Sequence, residues 1–493
     1  MKKQLLIWIG IISAFLLTRL FNLLIIPIFT DEAIYTYWAQ IALHDPANRF
    51  ISLEDGKQPL FIWLAAIAQR YISDPLLATR AVSVFAGLGS MTGIYLVAKS
   101  LFSQKVAWIS ALLYLILPIT LLYDRLAIFD SLLTMLGIYS VLFTIKLAKS
   151  PRLDLAMLTG ISIGAAMITK SSGTFFLYTL PFSLLLINFK DKNFKNILLK
   201  LGMFATVVFI LSQIIYNSLR LSPLFYVIGQ KNLTFIKSFP EFIQSPFQFF
   251  YSNFTSLINW SIAYIGIPLF ILFVLSVFFG LSKRDNKILY LSILIFVPFV
   301  AELLFNKVLY PRFILFYFPY IIILISYMIV KLNELSKKYQ RFFQALVILI
   351  LIGPIMTSWN LITNPTRANI PPADSGQYLN DWPAGYGVKE VVDFLKKESE
   401  NKVVYVGTEG TFGLLPFALQ IYFYTNTNIQ IIGYWPVDDN NLPVQVLEAA
   451  ETKSTFFVFN ENQKVITNVH LKLISKYQKG TRSSFMRLYE VSP

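Results

Sequence analysis

Three short stretches hold the residue types from which a reaction can be built. Thr30-Asp31-Glu32-Ala33 places two carboxylates where a long apolar run ends, and Gly56-Lys57-Gln58-Pro59-Leu60 follows with a cation. Tyr123-Asp124-Arg125-Leu126-Ala127-Ile128-Phe129-Asp130 then adds two acids and an arginine between two further apolar runs. A positioned carboxylate takes the proton of a hydroxyl as it attacks, and cations stabilise a departing anion such as phosphate. Thr30 is a reasonable helix cap, and a helix N-terminus favours ionised acids by up to ~1 kcal/mol, so Asp31 and Glu32 are expected to be anionic at rest. Taken alone, the pair is explained equally well as a simple cap. Ionisable residues at membrane depth are costly and face a cavity or a partner; for Arg125 the plain alternative is a structural ion pair with Asp124 or Asp130. Lys57, Arg80, Lys170, Lys307 and Arg312 are further cations at the ends of apolar runs, Arg312 within Tyr310-Pro311-Arg312-Phe313. Arginine suits bidentate contact with phosphate and lysine serves as a point charge. Each alone is an ordinary snorkelling anchor, and their common side is what groups them. Arg19, inside the first run, is expected to pair internally in a structural role.

A membrane body has to position these groups. Of 493 residues 56% are hydrophobic and 14% charged, against about 25% charged in soluble domains, and several runs approach or exceed the ~20 residues that cross a bilayer. Apolar runs between charged breaks predict eleven spans, near 5–27, 78–98, 106–123, 131–147, 155–169, 174–189, 201–219, 257–281, 288–305, 313–330 and 342–359. The loops alternate in character. One set, from Lys2 and Lys3 through the 99–105, 146–154, 190–200, 283–287 and 331–341 connections, holds 18 Lys and Arg against Asp154, Asp191, Asp285 and Glu334, which is +14 of the net +15. Positive loops stay in the cytoplasm, so the N-terminus is expected inside and the C-terminus outside. The charge is thus a topology signal, and the clustered basic face that would indicate a nucleic-acid partner is not found. No cysteine is present, which removes disulfides, thiolate ligands and cysteine nucleophiles; with only His44 and His470, a multi-histidine metal site is not expected. The opening Met1-Lys2-Lys3 and its apolar run read as a retained first span rather than a cleaved signal.

Leu60–Ala68 is apolar but too short to cross, and counting it as a span would invert every later loop. It reads as a helix lying in the interface, as does Ala33–Leu43, whose Tyr35, Tyr37 and Trp38 suit the interfacial belt. The first outer loop, about 28–77, is then two interfacial helices that carry the acid pair and Lys57. A second outer segment, about 220–256, is rich in Phe, Tyr, Ser, Pro and Asn, and is either a cover over an outer cavity or an ordinary packed loop. Past Trp359 the composition changes: 361–383 reads as linker and turns. In 384–493, helices at Val388–Glu398 and Leu414–Tyr424 alternate with strands near 402–407, 429–434, 455–459, 472–477 and 484–491. This is a small α/β domain to which no chemistry is assigned. The predicted fold is a polytopic α-helical membrane protein of about 11 spans, residues 1–360, followed by an extracytoplasmic α/β domain.

At the level of these motifs the chain resembles the polytopic GT-C glycosyltransferases of the protein O-mannosyltransferase and aminoarabinose-transferase superfamily. The resemblance covers roughly residues 1–330. It rests on Asp31-Glu32 after the first span, Lys57-Gln58-Pro59-Leu60 where the family often has Lys-Pro-Pro, Arg80 opening the second span, Arg125 with Asp130, and Thr169-Lys170 in the fifth span. It implies a polyprenyl- or dolichyl-phosphate-linked sugar as donor, used on the extracytoplasmic side of the plasma membrane, with inversion at the anomeric carbon. By that analogy Asp31 is the general base, Lys57 and Arg312 lie near the lipid phosphate, and Asp130 orients sugar or acceptor. Asp31, Glu32 and Asp130 are therefore the catalytic candidates. Lys57, Gln58, Arg80, Asp124, Arg125, Lys170, Tyr310 and Arg312 are the substrate-binding ones. Two positions depart from the pattern. Gln58 replaces the first proline, and Gly56 stands where aminoarabinose transferases carry an acid that helps bind a metal; metal-independent chemistry without a cofactor is expected. The implied partners are the lipid-linked donor, a glycan, lipid or protein acceptor, and the bilayer itself.

Two other classes compete. A transporter or flippase would use the acids as a coupling site, but transporter sites lie near the midplane between repeats, whereas these groups gather at one interface and no repeat is visible. A membrane-anchored receptor using only the C-terminal domain leaves the charges on the outer face unexplained.

Overall fold

The computed structural model describes residues 2–187, 189–190, 192–437, 442–460 and 468–493; Asp191, counted above among the loop acids, lies outside them. The apolar runs fold as a helical bundle. Among the described residues six helices are long and apolar enough to cross a membrane: Pro75–Leu101, Phe129–Lys149, Phe194–Leu221, Asn286–Phe305, Phe318–Leu335 and Gln340–Thr363. Two further runs are bent pairs. Gln104–Ile116 turns by 61° into Pro118–Asp124, and Phe250–Ile265 turns by 115° into Ile267–Lys283. The run predicted as a span near 257–281 is thus broken in the middle. Gly266, at φ 79°, makes the turn, and Pro268 starts the next helix at a position where no amide is needed. The remaining predicted spans are short apolar helices: Gln4–Leu20, Leu153–Met167 and Ser171–Leu186. Leu60–Gln69 is also short, in keeping with its reading as a non-crossing element. The protein is a multi-pass membrane protein.

Close approach inside the bundle depends on small residues. A Cβ on Gly160 or Gly164 would lie within 3 Å of Leu211 or Ile215 on the facing Phe194–Asn217 helix. Helix ends are capped by side chains: Ser103 and Asp285 accept from the amides of Val106 and Lys287. The first helix, Lys2–Leu20, ends before the predicted boundary at 27 because its last carbonyls are taken by Arg125. That guanidinium donates to the carbonyls of Thr18, Arg19 and Phe21 at 2.9, 3.0 and 2.8 Å and to Asn22 at 2.5 Å. It thereby satisfies the acceptors that a helix C-terminus leaves open.

Among the described residues five strands form one sheet in the order β2-β1-β3-β5-β4, with β1 Val404–Glu409, β2 Ile429–Tyr434, β3 Ser454–Phe459, β4 Leu471–Gln478 and β5 Phe485–Val491. β1 pairs parallel with β2 and β3, and β5 runs antiparallel to β3 and β4. The parallel crossovers pass through the helices Phe417–Phe423 and Val444–Thr452, the second of which was not anticipated.

The helix Thr30–His44 does not lie in the lipid interface as predicted; it is sandwiched between the bundle and this sheet domain. Ile28 and Ala33 share a buried cluster with Val391, Leu395 and Leu419. The ring of Tyr37 stacks on Phe417 at 4.7 Å, and Trp38 meets Phe412 at 6.2 Å. An antiparallel bridge joins Phe29 to Ala384, with Gly385 N donating to Ile28 O at 2.7 Å. Thr30 is not the cap: Phe29 holds that position, and the Thr30 amide donates to Pro383 O at 3.1 Å. The domain is thus tied to the chain one residue before the acid pair.

Candidate active site

A cavity of about 410 Å³ opens at the end of the bundle that carries the sheet domain, within the about 300–1,000 Å³ of small-molecule sites. Lys57, Gln58, Asp130, Lys170 and Arg312, all expected from the sequence, line it. Each is placed by a specific local device. Gly56 closes the turn Ile51–Asp55 at φ 64°, a conformation natural to glycine. A Cβ there would lie 2.6 Å from the Lys231 side chain and 2.8 Å from Val227 O, so the helix Phe225–Phe235 occupies the space that an acid at this position would need. Leu60 N donates to Ile168 O at 3.1 Å, and Gln58 Nε2 to Ser171 Oγ at 2.7 Å. These bonds bring Lys57 and Lys170 to one wall. Asp130 sits in the first turn of Phe129–Lys149, and Arg312 in the turn Pro311–Ile314 ahead of Phe318–Leu335.

The ion pairs are specific. Asp130 Oδ1 lies 2.6 Å from Lys170 Nζ, and Asp31 Oδ2 lies 2.7 Å from Arg312 Nη1. Asp31 keeps 23% of its side chain exposed, Oδ2 is its oxygen nearest the guanidinium, and Oδ1 makes no hydrogen bond among the described residues. Arg312 also lies over the Tyr310 ring, 5.0 Å from its centroid. Among the described residues Lys57 has no carboxylate partner; its ammonium rests 5.0 Å from the Phe235 ring. Burial lowers it below the ordinary lysine value, with Asp31 and Asp55 offsetting part of that effect. Phe129, Phe175, Phe305 and Phe313 supply the apolar part of the lining.

Six candidates stand outside the lining: Asp31 and Tyr310 lie beside it against Arg312, and Glu32, Arg80, Asp124 and Arg125 are engaged elsewhere. Glu32 and Arg80 are fully buried and bond each other twice, at 2.8 and 2.7 Å. Glu32 further accepts from the amides of Ala127 at 2.6 Å and Phe29 at 3.3 Å, and Arg80 donates to the carbonyls of Leu23, Ile26 and Pro27. This clasp fixes the chain on either side of Asp31 to the turn before Asp130. Asp124 pairs with Arg19, Nε to Oδ2 3.6 Å, and accepts from Tyr114 and Ser131. The internal partner expected for Arg19 is therefore Asp124, and Arg125 caps a helix instead of pairing with an acid.

Of the two readings of the segment 220–256 the cover holds, and Glu302, Asp374 and Tyr378 were not anticipated. The segment 220–256 covers the cavity: the helix Phe225–Phe235 is held by Lys237 N to Phe305 O (2.7 Å) and Lys307 N to Phe235 O (2.8 Å), and it brings Lys231, Asn232 and Phe235 into the wall. Lys231 pairs with Asp55, and Asn232 accepts from Ser171 at 3.1 Å. Glu302, an acid inside an apolar run, also lines the cavity; that isolation was the available signal. Asp374 and Tyr378 lie buried just behind it, Asp374 accepting from Tyr123 at 2.6 Å and from Tyr264. Among the described residues no three His, Cys, Asp or Glu side chains assemble as a metal-holding group.

Residues 56–216 match the family described as dolichyl-phosphate-mannose-protein mannosyltransferase, a stretch that includes Lys57, Asp130 and Lys170 but neither Asp31 nor Arg312. The whole fold is similar to that of ArnT from Cupriavidus metallidurans, with a TM-score of 0.57 in the apo state at 12% identity, covering 98% of this chain and 97% of that one. The same protein bound to undecaprenyl phosphate gives 0.58, also at 12% identity and over the same shares of both chains. The oligosaccharyltransferase AglB from Archaeoglobus fulgidus, in complex with an inhibitory peptide and a dolichol-phosphate, gives 0.52 at 13% identity over 91% of this chain and 69% of that one. No curated protein sequence matches. The segment match and the fold agree: residues 56–216 match the mannosyltransferase family, and the chain shares its fold with ArnT.

Proposed function

We propose that the protein transfers a sugar from a polyprenyl-phosphate-linked donor to a hydroxyl or amine of an extracytoplasmic acceptor, with inversion. The observation that carries this reading is the convergence of four cations, Lys57, Lys170, Lys231 and Arg312, on one aromatic-lined cavity beside Asp31 and Asp130. Three of the cations are neutralised by Asp130, Asp55 and Asp31, and Lys57 is left to meet an added anion. One bare cation suits the single charge of a phosphodiester. The aromatic lining suits the first units of a prenyl chain.

In this mechanism the acceptor approaches from the side of the sheet domain, where Asp31 is part-exposed. Asp31 takes the acceptor proton through its free oxygen as the new bond to the anomeric carbon forms, while Arg312 fixes its carboxylate. The bond from that carbon to the phosphate oxygen breaks, and Lys57 stabilises the leaving polyprenyl phosphate as its charge grows. Asp130, held by Lys170, orients the sugar. The basic loops face the cytoplasm, which puts the cavity and the sheet domain on the opposite side. The test is transfer by purified protein reconstituted with polyprenyl lipids from its native membrane, with products and released polyprenyl phosphate read by mass spectrometry. Asp31→Asn is expected to lower turnover by roughly 10²–10⁴, the usual worth of a general base. Undiminished turnover by a folded Asp31→Asn protein would sink the assignment, and donor-coupled flux without product would indicate a transporter.

A further inference from the structure

The helix Asn286–Phe305 carries one carboxyl, Glu302, a turn before its end. The end itself is fixed, because Asn253 Nδ2 donates to the carbonyls of Glu302 at 3.1 Å and Asn306 at 2.9 Å. The Glu302 side chain is 6% exposed and lines the cavity wall. Its Oε2 accepts from Tyr317 OH at 2.8 Å, and Tyr317 is itself buried. Oε1 makes no hydrogen bond, yet it is not among the buried polar atoms sealed from any partner. The charged group that faces it is Lys170, whose ammonium is engaged with Asp130. A carboxyl in an apolar wall is expensive, and half of this one is oriented with no hydrogen-bond partner among the described residues.

Of the three parts of the proposed donor, the prenyl chain has no hydrogen-bond donors and the phosphate is repelled by an acid. Only the sugar offers hydroxyls. We infer that Glu302 is a specificity-determining residue that accepts a hydrogen bond from a hydroxyl of the transferred sugar through Oε1, with Tyr317 setting the carboxyl's orientation. This rests on the donor reading above. A buried acceptor aimed at a substrate hydroxyl discriminates strongly, because a sugar lacking that donor leaves it unpaired.

The test measures affinity of full-length protein in nanodiscs for farnesyl phosphate and for a panel of farnesyl-phosphate glycosides, hexoses, a pentose and an amino sugar, without acceptor. Wild type is expected to bind at least one glycoside more tightly than farnesyl phosphate. Glu302→Gln is expected to keep the farnesyl phosphate affinity within about twofold and to lose about tenfold of the sugar-dependent gain. Tyr317→Phe, which leaves the carboxyl in place without its orienting hydroxyl, is expected to narrow the differences among glycosides while sparing farnesyl phosphate. A full sugar-dependent gain in both variants overturns the inference, including the case in which only acceptor turnover suffers. A wild type that prefers no glycoside over farnesyl phosphate overturns it together with the donor reading, whereas loss of the gain in the variants alone supports both.

Discussion

Asp31 and Glu32 are neighbours in sequence and are predicted to fail in opposite ways when neutralised. The Glu32 carboxylate is fully buried and accepts four hydrogen bonds, two from Arg80 and one each from the amides of Ala127 and Phe29. Glu32→Gln replaces one acceptor oxygen with a donor that faces N–H groups, and leaves the Arg80 guanidinium without its counter-charge. Breaking a buried pair by removing one partner costs about 3–5 kcal/mol. Asp31 makes one ion pair and has a part-exposed side chain. In Asp31→Asn the side chain keeps its shape beside Arg312, so the loss is the charge of one part-exposed ion pair, about 1 kcal/mol or less. The assay is size-exclusion recovery after graded heating in detergent, read beside transfer activity of whatever remains monodisperse. Glu32→Gln is expected to lose its native peak far below the wild-type temperature, with residual folded protein active. Asp31→Asn is expected to track wild type in recovery while transfer falls by roughly 10²–10⁴. A Glu32→Gln protein as robust as wild type but inactive would move the chemistry to Glu32 and refute the division.

Lys57→Met, which keeps the aliphatic stem over Phe235, is expected to weaken farnesyl phosphate binding roughly ten- to hundredfold, the loss of a charge-assisted contact of about 1.5–3 kcal/mol, as measured by titration calorimetry. Because burial lowers the Lys57 ammonium and only the protonated form attracts phosphate, wild-type affinity is expected to fall with rising pH before an ordinary lysine would titrate, and Lys57→Met is expected to remove that fall. Asp374, between the last long helix and the sheet domain, is pushed up to about 7 by burial, against the hydrogen bonds from Tyr123 and Tyr264. Its folded value lies above the unfolded one, so its contribution is complete below about pH 4 and is lost as pH rises through 7. Protease resistance of the 364–386 segment is therefore expected to decline from pH 5 to pH 8 in wild type and to stay level in Asp374→Asn, whose amide oxygen still accepts from both tyrosines; equal slopes would refute this.

Much of the bundle was readable because lipid and packed cores demand the same apolar runs, and because basic residues mark alternate loops. What periodicity does not report is a bend: nothing in the 257–281 run distinguishes one span from two helices at 115° except Gly266-Ile267-Pro268, a pattern that long helices also tolerate. The placement of Thr30–His44 was missed for a related reason. Tyr35, Tyr37 and Trp38 have the composition of an interfacial belt, and their true partners, Phe129, Phe412 and Phe417, lie far along the chain.

At the site, the sequence signal was an ionisable residue at the end of an apolar run, and it marked scaffold and chemistry alike. Desolvation costs a charge the same whether a substrate or a carbonyl relieves it, so Arg125 on four carbonyls and Arg312 on Asp31 look identical in one dimension. The difference appears only when partners are counted. Glu32, Arg80 and Arg125 spend their bonds within the chain. Lys57, the second oxygen of Asp31 and Oε1 of Glu302 do not, and all three lie in or beside one cavity. On the proposed reading, a fold that leaves Lys57, Asp31 and Glu302 incomplete together suits a ligand that has an anion, an attackable carbon and a hydroxyl in one molecule, which is what a lipid-phosphate sugar presents.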